Sequence, residues 1–315
     1  MTHDSGDATG RHLLVTGGAG FLGGHIVDAL LERGDAVTVL DRVGTAPREG
    51  AAFTAVDLLE TDISDLLAEG RFDGVFHLAG NVEVPLSVEH PDRDFTLNAG
   101  ITIRVLEALR RASPRTRFLL ASTAAIYGEA FDGACPESQP AAPVAPYGAS
   151  KWIAECYTEA FAREFGLPTA RARIFSMYGP QLRKHVVFDL IAKCHGRPER
   201  LEVLGDGEPV RDFIFVEDAV RALLCIADRS PHAGEAVNVA RGVPVSVAEL
   251  AGAVAAASGA EPDIVFVGME GRGRSQRWVA DIARLEALGH RSRVELSDGL
   301  ARTVAWYRSE VADPS

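Results

Sequence analysis

Cysteine is scarce, with four residues in a chain of 315, at Cys135, Cys156, Cys194 and Cys225. None forms a C-x-x-C pair, and the spacing fits no zinc motif, so neither a disulfide scaffold nor a structural metal is expected. Four isolated thiols read as reduced side chains, which points to the cytoplasm. Long apolar runs are also missing. No stretch reaches the ~18 uninterrupted apolar residues of a membrane-spanning helix, and the Ala-rich run Leu250–Ala257 reads as a buried helix segment. The opening MTHDSGDATGR lacks the apolar centre of a signal peptide and reads as a loose tail. Positive charge is in deficit: 32 Lys and Arg against 44 Asp and Glu leave a net charge of −12. Such a chain has no overall attraction for nucleic acid, so a phosphate-bearing partner must be held by a local site.

What is present is an ordinary globular mixture, 47% apolar and 24% charged. A chain of this size buries about 75% of its unfolded surface, enough for a full core without staples. The first half alternates short apolar runs with helical periodicity. His12–Thr16, Ala36–Asp41, Phe53–Asp57, Gly74–Leu78 and Arg117–Ser122 read as strands; Gly24–Arg33 and Asp92–Arg111 read as helices. Continuous apolar strands separated by helices imply an α/β fold, a Rossmann-like doubly wound parallel sheet covered on both faces. After about residue 180 the pattern loosens. Glu202–Leu204 and Phe213–Val216 are short strand candidates, and Val245–Ser258 and Val294–Ser309 look helical. The expected division is a dinucleotide-binding domain over 11–180 and a smaller C-terminal α/β substrate-binding lobe over 181–310. That lobe is expected to lack an independent core and to form a cleft with the first domain.

Residues 16–23, TGGAGFLG, follow a strand and open a helix. Gly17 permits the tight turn, Gly20 lets backbone approach a pyrophosphate, and Gly23 lets the helix sit close on the sheet; Phe21 and Leu22 complete the loop. Asp41 ends the second strand about 20 residues past Gly20, the offset of an acid that binds both ribose hydroxyls and repels a 2′-phosphate. This favours NAD over NADP, although Arg42 beside it works the other way. Asp57 fits either an adenine contact or a helix N-cap.

Tyr147-Gly-Ala-Ser-Lys151 places a phenol and an ammonium at i and i+4 on one helix face. A free tyrosine, with a pKa of about 10, is a poor base at neutral pH. Bringing it to about 7 needs ~4 kcal/mol of preferential phenolate stabilisation, which a neighbouring lysine and a positively charged nicotinamide can contribute.

Taken together, TGGAGFLG at 16–23, Asp41, Asp57-Leu58, HLAG at 77–80, Asn98, STAAIYG at 122–128, PYGASK at 146–151, RIFSMYGP at 173–180 and GDGEPVRDFIFVED at 205–218 resemble the extended short-chain dehydrogenases/reductases. More closely, the chain is similar to the NAD-dependent sugar-nucleotide epimerases and dehydratases, of the UDP-glucose and UDP-glucuronate 4-epimerase kind. The likeness runs in order over about residues 11–308. It implies that Thr123 bonds the sugar hydroxyl being oxidised, that Tyr147 is the general base, and that Lys151 binds the nicotinamide ribose and lowers the tyrosine pKa. It implies cofactor contacts at Leu58, Leu78, Ala79, Gly80 and Ser122. Asn98 matches a buried polar residue near the active site, a structural cap being an equal reading. Arg211 matches the arginine that neutralises the nucleotide diphosphate, against a surface ion pair with Asp212 or Glu217. Val82, Ser176, Val187, Val203, Arg274 and Trp278 fall on the substrate side. His77 reads as a strand-end core histidine.

Ala124 and Ala125 stand where dehydratases of this family resemble STDEVYG, with an acid and a base for expelling water; methyl groups do neither. The resemblance therefore implies C4 epimerisation of a nucleoside-diphosphate sugar, a UDP-sugar first among them, through a transient 4-keto sugar with NAD as cofactor. An NAD(P)H-dependent 4-ketosugar reductase is the second reading, and a non-catalytic NAD-binding sensor the third. Three departures bear on the sugar: Ser176 replaces a usual Asn, Val82 stands where some galactose epimerases have Lys, and Arg272 and Arg274 occupy the usual R-P-G-D segment. With Arg277, these add positive charge that fits an acidic sugar. Trp278 aligns with a residue walling the sugar pocket and predicts nothing larger than a hydroxyl at C2. Apolar residues beyond one core stripe, among them Ile101, Ile103, Ile153 and Tyr157, predict a homodimer.

Overall fold

The computed structural model describes residues 10–42, 48–128, 133–196, 199–268 and 277–312. In chain order the first elements are β1 (His12–Thr16), α1 (Phe21–Glu32), β2 (Ala36–Asp41), β3 (Ala52–Ala55), α2 (Ser64–Gly70), β4 (Gly74–His77), α3 (Val84–Glu89), α4 (Pro91–Phe95), α5 (Ile101–Ala112), β5 (Arg117–Thr123), α6 (Pro146–Phe165) and β6 (Thr169–Ile174). There follow β7 (Ser176–Tyr178), α7 (His185–His195), β8 (Arg200–Leu204), β9 (Val210–Phe215), α8 (Val216–Arg229), β10 (Ala233–Val239), β11 (Pro244–Ser246), α9 (Val247–Ala257), β12 (Asp263–Val267), β13 (Arg277–Trp278), α10 (Ala283–Ala287) and α11 (Leu296–Tyr307).

Two compact units form, and they interleave in sequence. The first comprises residues 1–126, 143–173 and 223–237; the second comprises 127–142, 174–222 and 238–315. The first holds a mostly parallel, doubly wound seven-stranded sheet in the order β10-β6-β5-β4-β1-β2-β3. Its central pairs, β1 with β2 and β4, β2 with β3, and β4 with β5, all run parallel. Helices cover both faces, so the central strands β1, β2, β4 and β5 are largely apolar runs without the two-residue alternation of a half-solvated sheet. Leu14, Leu40, Val75, Phe118 and Leu120 from the strands meet Leu106 and Leu109 of α5 and Ala154 and Phe161 of α6 in one buried cluster.

Element ends follow local chemistry. Proline at the start of α6 needs no N–H there, and Gly166, left-handed at φ 66°, closes the helix. The expected strand over 53–57 stops at Ala55, since Asp57 turns the chain by accepting the Leu59 N–H at 2.9 Å. The expected single helix over 92–111 is α4, a π-helical turn at Thr96–Gly100, and α5. Thr96 and Thr102 donate their hydroxyls back to Asp92 O and Asn98 O, and such back-bonding loosens the helical ladder.

The second unit contains a sheet of β11, β9 and β13 with β7 paired to β9, and a separate parallel pair of β12 and β8. Contrary to expectation it has its own buried apolar set, including Phe213, Ile214, Leu250, Val254, Leu285 and Leu300. Tyr178 packs edge-on against Phe215 at 5.5 Å, and any side chain at Gly299 would strike its hydroxyl. The Ser246–Glu249 capping box starts α9. All four cysteines are free, and among the described residues no helix is long and apolar enough to cross a membrane.

Candidate active site

The glycine loop is held from three sides. Gly17 N–H donates to Leu40 O at 2.8 Å, Ala19 N–H donates to Asp41 Oδ2 at 3.0 Å, and Gly20 N–H donates to Gly17 O at 3.1 Å. Gly17 has φ +72°, and a Cβ there would lie 2.8 Å from the Ala79 nitrogen. A Cβ at Gly23 would collide with the Gly17 carbonyl and sit 2.7 Å from Gly18 Cα. At Gly20 the nearest atom is 3.2 Å away, so that residue is glycine for what approaches from outside. Phe21 and Leu22, both half-buried, begin α1.

These residues fit NAD. The α1 N-terminus has no side-chain cap and no acid in its first turn, leaving its N–H groups and positive dipole end for a phosphate. Asp41 stands at the tip of β2, its Oδ1 accepting the Arg42 N–H at 2.7 Å. The Ser122 hydroxyl at the end of β5 is buried and makes no hydrogen bond in the structure. Leu58 is buried, and Leu78 and Ala79 are half-buried after β4. Gly80, at φ +155°, completes the HLAG segment.

Thr123, Tyr147 and Lys151 come together in the first unit as the sequence predicts. The Tyr147 phenol and Thr123 hydroxyl share a hydrogen bond, and Thr123 Oγ1 accepts the Ala125 N–H at 3.2 Å. Lys151 is 6% exposed and donates through Nζ to Ala121 O at 2.5 Å. Burial pushes the tyrosine up to about 12 against the Thr123 bond, and Asp94 adds to the rise. Burial brings Lys151 down to about 8, opposed by Glu155 and Asp94. The protein alone therefore holds a neutral phenol. His77 is the core histidine expected: it bridges Thr16 and Thr102 at 2.8 and 3.2 Å, and burial holds it neutral, down to about 3.

Asn98 lies on the π-helical turn, 1% exposed, and donates to Asp94 and Ser150, both at 3.0 Å. Its bonds are those of a structural residue, and its Oδ1 faces Gly80 without a partner. Asp94, Asn81 and Ser150 belong to this network, and the sequence reading missed all three. An acid in the first turn of a helix reads as a dipole partner, and nothing in its spacing marks it as buried.

The second unit carries its own candidates. The Arg211 guanidinium lies over the Trp278 ring at 4.8 Å, and Trp278 Nε1 donates to Gly128 O at 3.0 Å. Asp212 accepts the N–H groups of Arg241, Gly242 and Ala280 and is raised by burial to about 6. Ser176 is half-buried on β7. Val187 on α7 and Val203 on β8 are both buried, at 4% and 3% exposed. In the first unit, Val82 is 50% exposed. Arg272 and Arg274 lie outside the described residues.

Comparison with known proteins agrees with this geometry. The model of the NAD-dependent epimerase/dehydratase family matches residues 13–240. The chain belongs to that family. NAD is accordingly its cofactor, and the protein is an enzyme of the nucleotide-sugar epimerase/dehydratase type. The UDP-glucose 4-epimerase of Mycolicibacterium smegmatis is 33% identical over 312 residues, covering 94% of this chain and 98% of that one. A dTDP-glucose 4,6-dehydratase from an Actinoplanes species is 32% identical over 314 residues, with the same coverage. Among solved structures, the UDP-glucose 4-epimerase of Thermotoga maritima with UDP-glucose superposes with a TM-score of 0.86 at 32% identity, over 94% of this chain and 98% of that one.

Proposed function

We propose that this family member is a nucleoside-diphosphate-sugar 4-epimerase, with a UDP-sugar as substrate. The carrying observation is the Thr123–Tyr147–Lys151 set next to Ala124 and Ala125. It offers one proton-transfer group at the sugar, with no acid–base pair for expelling water. The epimerase relatives support the same reading; the dehydratase relative shows that overall similarity alone does not separate the two activities.

NAD, when bound, supplies a hydride acceptor and donor and a positive ring. Gly20, on the turn that Gly17 and Gly23 make possible, would admit its pyrophosphate, and Asp41 would hold a ribose. The Thr123 hydroxyl orients the C4 hydroxyl, and Tyr147 takes its proton and later returns it. Lys151, anchored on Ala121 O, presents positive charge to the phenolate. Arg211 answers the diphosphate, and Trp278, fixed by Gly128 O and Arg211, limits the C2 substituent.

The test is incubation of the NAD-loaded protein with plain and N-acetylated UDP-hexoses and UDP-uronic acids. Expected is interconversion of C4 epimers with no change in mass and no net reduction of NAD, lost by 10²-fold or more in Tyr147→Phe, the scale of a general base. A product lighter by one water, or stoichiometric consumption of NADH with a keto sugar, would refute the reading. We also infer a cytoplasmic homodimer. Phe95 of α4 and Tyr157 of α6, on neighbouring helices, are 46% and 43% exposed, although Ile101 belongs to the core. A monomer by light scattering at micromolar concentration would contradict this.

A further inference from the structure

Asp94 is a carboxylate 1% exposed on the five-residue helix α4. Its Oδ1 accepts Asn81 Nδ2 at 2.7 Å and Asn98 Nδ2 at 3.0 Å, and its Oδ2 accepts Ser150 Oγ at 2.6 Å. Among the described residues no cation forms an ion pair with it. Its three donors are neutral and come from three segments. Asn81 directly follows HLAG, Asn98 lies on the π-helical turn, and Ser150 sits on α6 between Tyr147 and Lys151. Ser150 Oγ is also 3.0 Å from Tyr147 O. Asn98, with its amide nitrogen fixed by Asp94, turns its bare Oδ1 to Gly80, where a Cβ would come within 2.5 Å. One buried charge thus ties the HLAG segment to the helix turn that bears the phenol. Burying an anion without a counter-ion is unfavourable, and these three bonds are what offsets it.

We propose that Asp94 is a positioning residue for the reaction at Tyr147: through Ser150 and Asn98 it fixes the phenol-bearing turn against the HLAG segment. The proposal rests on the assignment of Tyr147 as base. The charged and titratable groups that act on that phenol and its lysine come from four elements. They are Lys151 and Glu155 on α6, Thr123 on β5, His77 on β4 and Asp94 on α4. His77 stays neutral, so Asp94 and Glu155 are the negative members and Lys151 is the positive one. Asp94 acts on both catalytic groups in the same sense, favouring the proton on each.

Asp94→Asn separates charge from shape. Its carbonyl can still face Asn81 and Asn98, and its amide can donate to Ser150 Oγ, whose hydrogen then turns to Tyr147 O. Ser150→Ala does the reverse, cutting the link and keeping the charge. The experiment is an ultraviolet phenolate titration of the NAD-loaded full chain, taken as the difference from the Tyr147→Phe protein. It is run with and without the Asp94→Asn substitution, beside pH profiles of kcat/KM. We expect Asp94→Asn to lower the Tyr147 midpoint and the acidic limb of the profile together, by about half a pH unit or more. Ser150→Ala should leave the midpoint unchanged and reduce kcat about 10-fold with KM nearly constant, as for a lost orientation. Wild-type kcat in Ser150→Ala, or an Asp94→Asn protein whose kcat and pH profile both stay at the wild-type values, overturns the proposal. If Asp94→Asn does not fold, Ser150→Ala decides alone. Retained turnover in Tyr147→Phe would instead overturn the base assignment, and the titration keeps the two apart because it reads the phenol directly.

Discussion

Two alanine substitutions three residues apart in the glycine loop should fail in opposite ways. At Gly23 a methyl group collides with the Gly17 carbonyl and lies 2.7 Å from Gly18 Cα, and both neighbours are backbone. Relieving that overlap means lifting α1 from the end of β1, and overpacking of this kind costs about 1–3 kcal/mol or more. At roughly 2–4 °C per kcal/mol for a chain of this length, Gly23→Ala should lower the melting midpoint by about 4 °C or more. At Gly20 the backbone is extended, φ −76° and ψ 173°, which alanine adopts freely, and the Gly17 carbonyl oxygen, 3.2 Å from the new methyl, need yield only slightly. Gly20→Ala should therefore lose less than Gly23→Ala, about 2 °C or less. Its methyl, however, occupies the approach of the pyrophosphate to the uncapped N–H groups of α1. NAD affinity should fall 10-fold or more, about 1.4 kcal/mol. Differential scanning fluorimetry without NAD and calorimetric titration with it measure the two quantities separately. Gly20→Ala with wild-type NAD affinity would refute the placement of the phosphate, and an undisturbed Gly23→Ala would refute the packing argument.

NAD should bind at least 10-fold more tightly than NADP, because Asp41 would face a 2′-phosphate, a like-charge contact worth a kcal/mol or more; Asp41→Asn should narrow the ratio, and equal affinities in the wild type would show that Arg42 prevails. Glu155 is fully buried with Arg173 at 2.8 Å and Arg171 at 3.5 Å, and Arg171 also pairs with Glu159 at 2.9 Å, so Glu155→Ala, which removes one partner from a buried ion-pair cluster, should cost about 3 kcal/mol in urea unfolding; a loss under 1 kcal/mol would count against the buried cluster. Trp278→Ser should admit N-acetylated nucleotide hexoses that the wild type turns over poorly, and a wild type equally active on both sugars would end the gate idea.

The central strands of the first unit were legible because they are buried on both faces and carry no competing pattern: His12–Thr16 and Ala36–Asp41 fall where the apolar runs do. The strands β6, TARARI, and β10, AGEAVNV, were not, because charged and small residues interrupt the apolar run. The glycine loop, Thr123, Tyr147 and Lys151 were legible for a different reason, since close backbone approach and helical spacing both leave a mark in residue type. The break at Thr96–Gly100 was not, because a π-helical turn keeps the apolar periodicity nearly intact while two threonine hydroxyls change the ladder. The role of Asp94 depends on three partners far apart in sequence, and no local window contains them. The core of the second unit was missed because its strands are short and alternate, as in RLEVL, where only Leu201 and Val203 turn inward.

The return of residues 223–237 to the first unit sets an order on synthesis. β6 ends at Ile174, and the strand that covers its free side, β10, ends at Val239. During translation roughly 65 residues must emerge between the two, about 3–13 s at 5–20 residues per second. For that interval the nascent sheet ends in an uncovered strand, with a row of backbone donors and acceptors open to any other chain nearby. A ribosome stalled within that window would therefore hold an intermediate whose hazard is edge-to-edge association, even though every loop and side chain of the cofactor site has already been made.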